Sequence, residues 1–312
     1  MDVSSRINRR EFLSATGMLS AAAALAACRS KETGQLAVDL DLTATRAPST
    51  PTLMPEPATP TPEPREALLP EMVLIEPGTF MMGTDDGLPK EAPVHEVSIT
   101  QPYFAGIYPV TNAEYARLCE ETRKCSFPDD RRPVVGINWF EAVDYCNWLS
   151  EAAGLTVCYS GKGNFIKCDF SVNGYRLPTE AEWEFAARGG NLSEGFLYAG
   201  GDDPDLVAWY DATAEGAPRL VGEKLPNELG IYDMSGNVWE WCWDWYGETY
   251  YAESPAVDPR GSATAQDQTM PSKSRRGGGW SEESDTLRTS FRSADWISYQ
   301  GGNGFRLVRT AL

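Results

Sequence analysis

Short apolar runs broken by turn residues dominate the chain from residue 71 onward. Glu71-Met72-Val73-Leu74-Ile75 stops at Pro77-Gly78 and predicts a short strand and a turn. Val94-His95-Glu96-Val97-Ser98-Ile99 predicts a second strand, with His95 a structural residue within it. Three helices are announced by their starts. Thr111-Asn112-Ala113-Glu114 predicts one running towards Arg123, Asn138-Trp139-Phe140-Glu141 one that ends at Gly154, and Thr179-Glu180-Ala181-Glu182 one closed by Arg188-Gly189-Gly190. In each, the first side-chain oxygen takes a free backbone N–H while the glutamate reaches back to the cap. The remainder is rich in Gly, Pro, Asn and Asp. The pattern therefore predicts an α+β domain over residues 71–312 with few helices, short strands and much ordered loop.

Before that domain the pattern changes twice. Asn8-Arg9-Arg10-Glu11-Phe12-Leu13 resembles a twin-arginine export signal, and the apolar stretch Leu13 to Ala27 is shorter than the roughly 20 residues a membrane span needs. It ends Leu25-Ala26-Ala27-Cys28, which resembles a bacterial lipobox. Residues 1–27 then read as a lipoprotein signal peptide, with Cys28 the lipidated first residue of the mature chain. Residues 28–70 read as a tether, with eight prolines from Pro48 to Pro70. Extended at roughly 3.1 Å per residue, Pro48 to Pro64 would span about 50 Å. The expected address is the bacterial cell envelope, on its periplasmic or extracellular side, with the membrane reached through the lipid anchor.

Composition narrows the chemistry. With 27 Lys+Arg against 45 Asp+Glu the net charge is -18, which excludes nucleic-acid binding as a main activity. A single histidine excludes multi-His metal sites, and without a CxxC pair zinc is argued against as well. Setting Cys28 aside leaves Cys119, Cys125, Cys146, Cys158, Cys168 and Cys242. An even count in an exported chain suggests disulfides. Proximity favours Cys119–Cys125 and Cys158–Cys168, with Cys146–Cys242 as a weaker third pair.

The segment from Gly174 through Thr179-Glu180-Ala181-Glu182-Trp183-Glu184 to Gly190 resembles the central signature of the sulfatase-modifying factor, or formylglycine-generating enzyme, family. So does Gly230 through Met234-Ser235-Gly236-Asn237-Val238-Trp239-Glu240-Trp241. Pro109-Val110-Thr111-Asn112 and Gly304-Phe305-Arg306-Leu307 match in order, so the resemblance covers nearly all of residues 72–310. It implies a variant of the C-type lectin fold, with short twisted sheets and bound calcium. The calcium ligands it implies are Asp233 and Glu240 by side chain, and Gly236 and Val238 by carbonyl. Hard oxygen donors of this kind suit that ion.

Active members of the family hold copper between two cysteines and oxidise a sulfatase cysteine to formylglycine. In this chain the preceding motif reads Arg276-Gly277-Gly278-Gly279-Trp280, and the two cysteine positions are Glu282 and Leu287. Cu(I) needs soft thiolate donors, so the family's oxidase route is not expected here. The cysteine of the family's terminal motif is also replaced, by Leu307, which leaves Cys146 to pair elsewhere or stay reduced. From Trp280 to Asn303, rigid rings alternate with small polar residues, the composition of a recognition surface. Trp280, Ser281, Glu282, Asp285, Trp296 and Tyr299 are the candidate groove residues. Trp280 is read as core, Trp296 and Tyr299 as exposed, and the run Trp239 to Tyr246 as core. The leading expectation is a binding or scaffold module for a protein or glycan partner. One alternative is a periplasmic maturation enzyme using Glu282, Glu283 and Asp285 for acid–base work; another is true formylglycine synthesis.

Overall fold

The computed structural model describes residues 69–122 and 125–312. The expected signal peptide, Cys28 and nearly all of the expected tether lie outside the described residues. Strands are short throughout. They are β1 Met72–Ile75, β2 Gly78–Met82, β3 His95–Ile99, β4 Tyr103–Gly106, β5 Tyr159–Ser160, β6 Lys167–Cys168, β7 Tyr175–Arg176, β8 Trp239–Trp245, β9 Ser272–Arg276, β10 Arg292–Trp296, β11 Asn303–Gly304 and β12 Val308–Thr310. The α-helices are α1 Asn112–Thr122, α2 Trp139–Ala152, α3 Glu180–Ala187 and α4 Pro204–Val207.

All three predicted caps form. Asn138 Oδ1 accepts from the Glu141 amide at 3.0 Å while Glu141 accepts from the Asn138 amide at 2.8 Å. Thr179 and Glu182 do the same at 3.1 and 2.9 Å, and Thr111 and Glu114 at 3.3 and 2.7 Å. Each box satisfies two amides that a helix start leaves unpaired. Just past α2 and α3, Gly154 and Gly189 carry φ of 71° and 87°, the left-handed turn that closes a helix at little cost only on glycine.

Two four-stranded sheets organise the domain, in the orders β1-β4-β12-β7 and β10-β9-β8-β11. The last strand, β12, sits between β4 and β7, so both ends of the described chain meet in one sheet. All pairings are antiparallel except β11 with β8. One apolar cluster gathers around α2, including Trp139, Tyr145, Leu149, Trp241 and Phe305. The other gathers around α3, including Ile75, Val97, Trp183, Phe185 and Met234.

Helix α3 is buried on every side although Glu180, Glu182 and Glu184 lie within it. Each carboxylate has its own arginine. Glu182 takes Arg176 at 2.6 and 2.7 Å, Glu180 takes Arg292 at 2.8 and 2.7 Å, and Glu184 takes Arg276 and Arg188. The motif residues that resemble the family are thus largely the partners of a buried ionic network.

The cysteine pairing differs from expectation. Cys119–Cys125 is a disulfide, and Cys146, Cys158, Cys168 and Cys242 are free thiols. Cys158 and Cys168 lie side by side on the β5–β6 hairpin but remain unbridged, and the hydrogen bond from the Cys168 thiol lowers the Cys158 pKa. Cys146 packs in the α2 cluster beside Leu307, while Cys242 packs in the α3 cluster, so that pairing fails because the two thiols occupy different cores. His95 is a strand residue, its ring edge-on to Tyr251 at 4.8 Å.

Candidate functional site: an aromatic cleft beside Glu282

Strands β8, β9 and β10 and the loops after them enclose an open cleft of about 460 Å³. Trp280, Ser281, Glu282, Trp296 and Tyr299, named from the sequence, all line it. Trp296 and Tyr299 expose 49% and 40% of their surface, as expected of contact residues. Trp280 departs from its expected core position and forms a half-buried wall. A Cβ on Gly302 would meet the Trp280 ring at 3.0 Å, so a larger residue there would push the ring back by a few tenths of an ångström.

Asp285 and Glu283 also depart from expectation. Both are exposed and neither lines the cleft. Asp285 lies within a single 3-10 turn, Ser284–Leu287. Of the three proposed acid–base carboxylates only Glu282 remains in the cleft, and it accepts from Trp239 Nε1 at 3.0 Å. The cluster needed for mutual pKa displacement is therefore not assembled.

Three further cleft residues escaped the sequence reading: Trp239, Arg275 and Asp295. Arg275 binds Asp295 at 3.0 Å and Asn303 at 2.9 Å, and its guanidinium lies 4.4 Å from the Trp239 ring centre. A usable signal existed. In Ser272-Lys273-Ser274-Arg275-Arg276 a period of two puts Lys273 and Arg275 on one face and Arg276 on the other. The run Trp239 to Tyr246 is core at Trp239, Trp241 and Cys242, but Trp243, Trp245 and Tyr246 are only half-buried.

The two positions where the resemblance implies copper-binding thiols are occupied in a specific way. Leu287 is wholly buried with Tyr198, Val207 and Ala208. Its methyl group fills the space where a Cβ on Gly278 would sit, 2.5 Å away. Glu282 is held by Trp239. A carboxylate and an alkyl chain do not fit a Cu(I) ion.

The residues that the resemblance assigns to calcium are engaged by other protein groups. Glu240 is wholly buried and accepts from Arg306 at 2.7 and 3.1 Å and from Trp183 Nε1 at 2.7 Å. Asp233 accepts from the Gly222 amide at 2.8 Å and from Asn237 at 3.2 Å, and burial pushes its pKa up to about 6. Every side-chain oxygen of the pair already has an N–H donor, and Arg306 supplies the positive charge. Gly236 and Val238 add only carbonyls. Among the described residues no group of three or more His, Cys, Asp or Glu is arranged to hold a metal ion.

The sulfatase-modifying factor enzyme 1-like domain description matches residues 56–311, most of the chain. The chain belongs to this family. It is 31% identical to the chaperone protein LppX of Paenibacillus barcinonensis, over 77% of this chain and 89% of that one. It is also 31% identical to the formylglycine-generating enzyme of Streptomyces coelicolor, over 77% and 89%. Among solved structures, Treponema denticola variable protein 1 superposes with a TM-score of 0.68 at 27% identity, covering 77% of this chain and 95% of that one. The sulfatase-modifying factor fold, an α+β arrangement of the C-type lectin-like kind, is thus this chain's fold. The cleft lies at Glu282, one of the two positions where the resemblance expects a thiol, while the other, Leu287, is in a separate apolar cluster.

Proposed function

We propose that this chain is a non-catalytic recognition module of the bacterial cell envelope that captures a polypeptide partner in the cleft formed by Trp239, Trp280, Trp296 and Tyr299. The observation that carries the reading is the fate of the two thiol positions. Leu287 is sealed into the core and Glu282 is bound to Trp239, while the exposed rings Trp296 and Tyr299 line the cleft beside Glu282. Rigid aromatic side chains supply contact area at low entropic cost, and the Arg275–Asp295 pair can orient a polar partner group. A relative named as a chaperone favours a polypeptide over a glycan. Acylation at Cys28 would fix the chain to the membrane, and the proline-rich segment would hold the domain clear of it. No helix among the described residues is long and apolar enough to cross a membrane.

The test has two arms. The full chain is incubated with copper and a sulfatase-type cysteine peptide; no formylglycine is expected. In parallel, partners are captured from the native envelope by wild-type chain and by the Trp296→Ala/Tyr299→Ala variant. The reading requires a polypeptide retained by the first and lost by the second; equal capture by both, or formylglycine in the first arm, ends it.

A further inference from the structure

A second surface lies apart from the aromatic cleft, where the β5–β6 hairpin faces the loop of residues 260–268. It encloses about 990 Å³. Its charge is opposite to that of the chain. The protein carries a net charge of -18, yet this lining contains Lys162, Lys167 and Arg260 and no Asp or Glu. None of these three cations is in an ion pair among the described residues. The acidic residues next to the lining in sequence, Asp169 and Asp267, are exposed but do not line it, and each carboxylate is tied into a local turn. Asp169 accepts from Ser171, and Asp267 accepts from Thr269 and Met270. Cations without ion-pair partners on both walls of a cleft in an acidic protein focus the field on a negative ligand.

The rings set the rest of the chemistry. Phe165, at the hairpin turn, is 83% exposed, more than any other large apolar side chain described. Trp245 is half-buried and holds Lys273 on its buried side, 3.8 Å from the ring centre. No other ring stacks on Trp245 among the described residues, whereas Trp243 is stacked on Tyr159, and Phe170 is flanked by Arg176 and Arg260. Around these rings stand Asn164, Ser262 and Thr264, whose amide and hydroxyl groups can exchange hydrogen bonds with a hydroxylated ligand. A sugar ring offers flat C–H faces to an indole and hydroxyls at its rim. An acidic peptide offers carboxylates but no comparable repeated face.

We infer that this surface binds an acidic polysaccharide, with carboxylates of successive sugars on Lys162, Lys167 and Arg260 and sugar faces on Trp245 and Phe165. The site is independent of the polypeptide-capturing cleft.

Titration calorimetry of the full chain with polygalacturonate, dextran and polyglutamate tests this. Wild-type chain binds polygalacturonate, with affinity falling as salt rises, and binds dextran and polyglutamate weakly or not at all. Lys162→Glu/Lys167→Glu lowers polygalacturonate affinity about tenfold or more. Phe165→Ala lowers it by a smaller factor, and Trp296→Ala/Tyr299→Ala leaves it unchanged. Circular dichroism checks that each variant is folded; all three carry changes only at exposed side chains. Equal binding of dextran, equal binding of polyglutamate, absence of polygalacturonate binding, or full affinity in the double lysine variant each overturns the assignment.

Discussion

Arg276 and Glu184, far apart in sequence, meet as an ion pair in which neither side chain reaches solvent. Arg276 also donates to the carbonyls of Thr289, Ser290 and Phe291, so one guanidinium ties α3 to the loop that leads into β10. Removing one member of such a pair leaves the other charge buried without compensation. Arg276→Met should therefore destabilise the domain by about 3–5 kcal/mol in urea unfolding. Arg219→Met, at the solvent-exposed pair with Glu215, should cost less than about 1 kcal/mol. Comparable losses for the two would mean that the buried network does not hold α3 in place.

The Arg306–Glu240 pair gives a second, independent test. Arg306→Leu removes the guanidinium from a wholly buried carboxylate that also accepts from Trp183. A loss of about 3–5 kcal/mol is expected. If the Glu240 charge were balanced by a bound cation instead, the variant would regain stability on adding calcium. Melting curves with and without calcium decide the point, and no recovery is expected.

Cysteine chemistry can be read directly by mass spectrometry after alkylation under denaturing, non-reducing conditions. The expected result is alkylation at Cys146, Cys158, Cys168 and Cys242 and none at Cys119 or Cys125. Reducing the one bridge should cost about 2–3 kcal/mol, the loop-closure value for so short a loop. A Cys158–Cys168 bridge in material taken from the cell would restore the pairing that sequence proximity suggests.

What the sequence makes legible here is what is local. The caps at Thr111, Asn138 and Thr179 can be read because an N-cap and its glutamate are three residues apart, and the chemistry closes on itself. The exposed rings Trp296 and Tyr299 can be read because polar neighbours flank them. The ion pairs cannot: Glu180 finds Arg292 across 112 residues, and Glu91 finds Arg288 across 197. No local pattern distinguishes those arginines from solvated ones. Arg275 is hidden for the same reason, since its role depends on β9 pairing with β10, which brings Ser293 opposite it and Asp295 within reach. Trp280 misleads because its motif suggests core packing, whereas the adjacent Gly302 lets the ring form a wall.

Leu287 offers a test of whether the position where the resemblance implies a thiol is purely structural in this chain. It is wholly buried among Tyr198, Val207 and Ala208 and is pressed against Gly278. Leu287→Ala should cost about 2–5 kcal/mol by cavity formation. Partner capture per folded molecule should be unchanged, because the side chain does not line the cleft. A stable variant that has lost capture would place Leu287 in the recognition surface.

Asp244 supplies a pH test. Burial, reinforced by the nearby Glu180 carboxylate, pushes it up to about 8, while its Oδ2 accepts from the Glu180 amide at the start of α3 at 2.8 Å. A carboxyl whose folded pKa lies above its unfolded value resists ionisation in the native state. Below the unfolded value both states are protonated and the group is neutral in effect. As pH rises from about 4 to 8 the unfolded chain releases its proton first, so native stability falls. Burial lowers the neighbouring Lys273 to about 7, so below that pH it is protonated in both states and contributes no slope. Asp244→Asn keeps an oxygen for the Glu180 amide and cannot ionise. Its stability relative to wild type should therefore rise between pH 5 and pH 8, by at least about 1 kcal/mol. Groups that do not interact with Asp244, Asp233 among them, cancel in the difference; Lys273 does interact with it and loses its charge near pH 7, so the change between pH 5 and pH 7 is the part that reports Asp244 alone. Urea unfolding of the pair at pH 5, 6, 7 and 8 measures it, and a gap that stays constant across that range would show that Asp244 ionises freely in the folded chain.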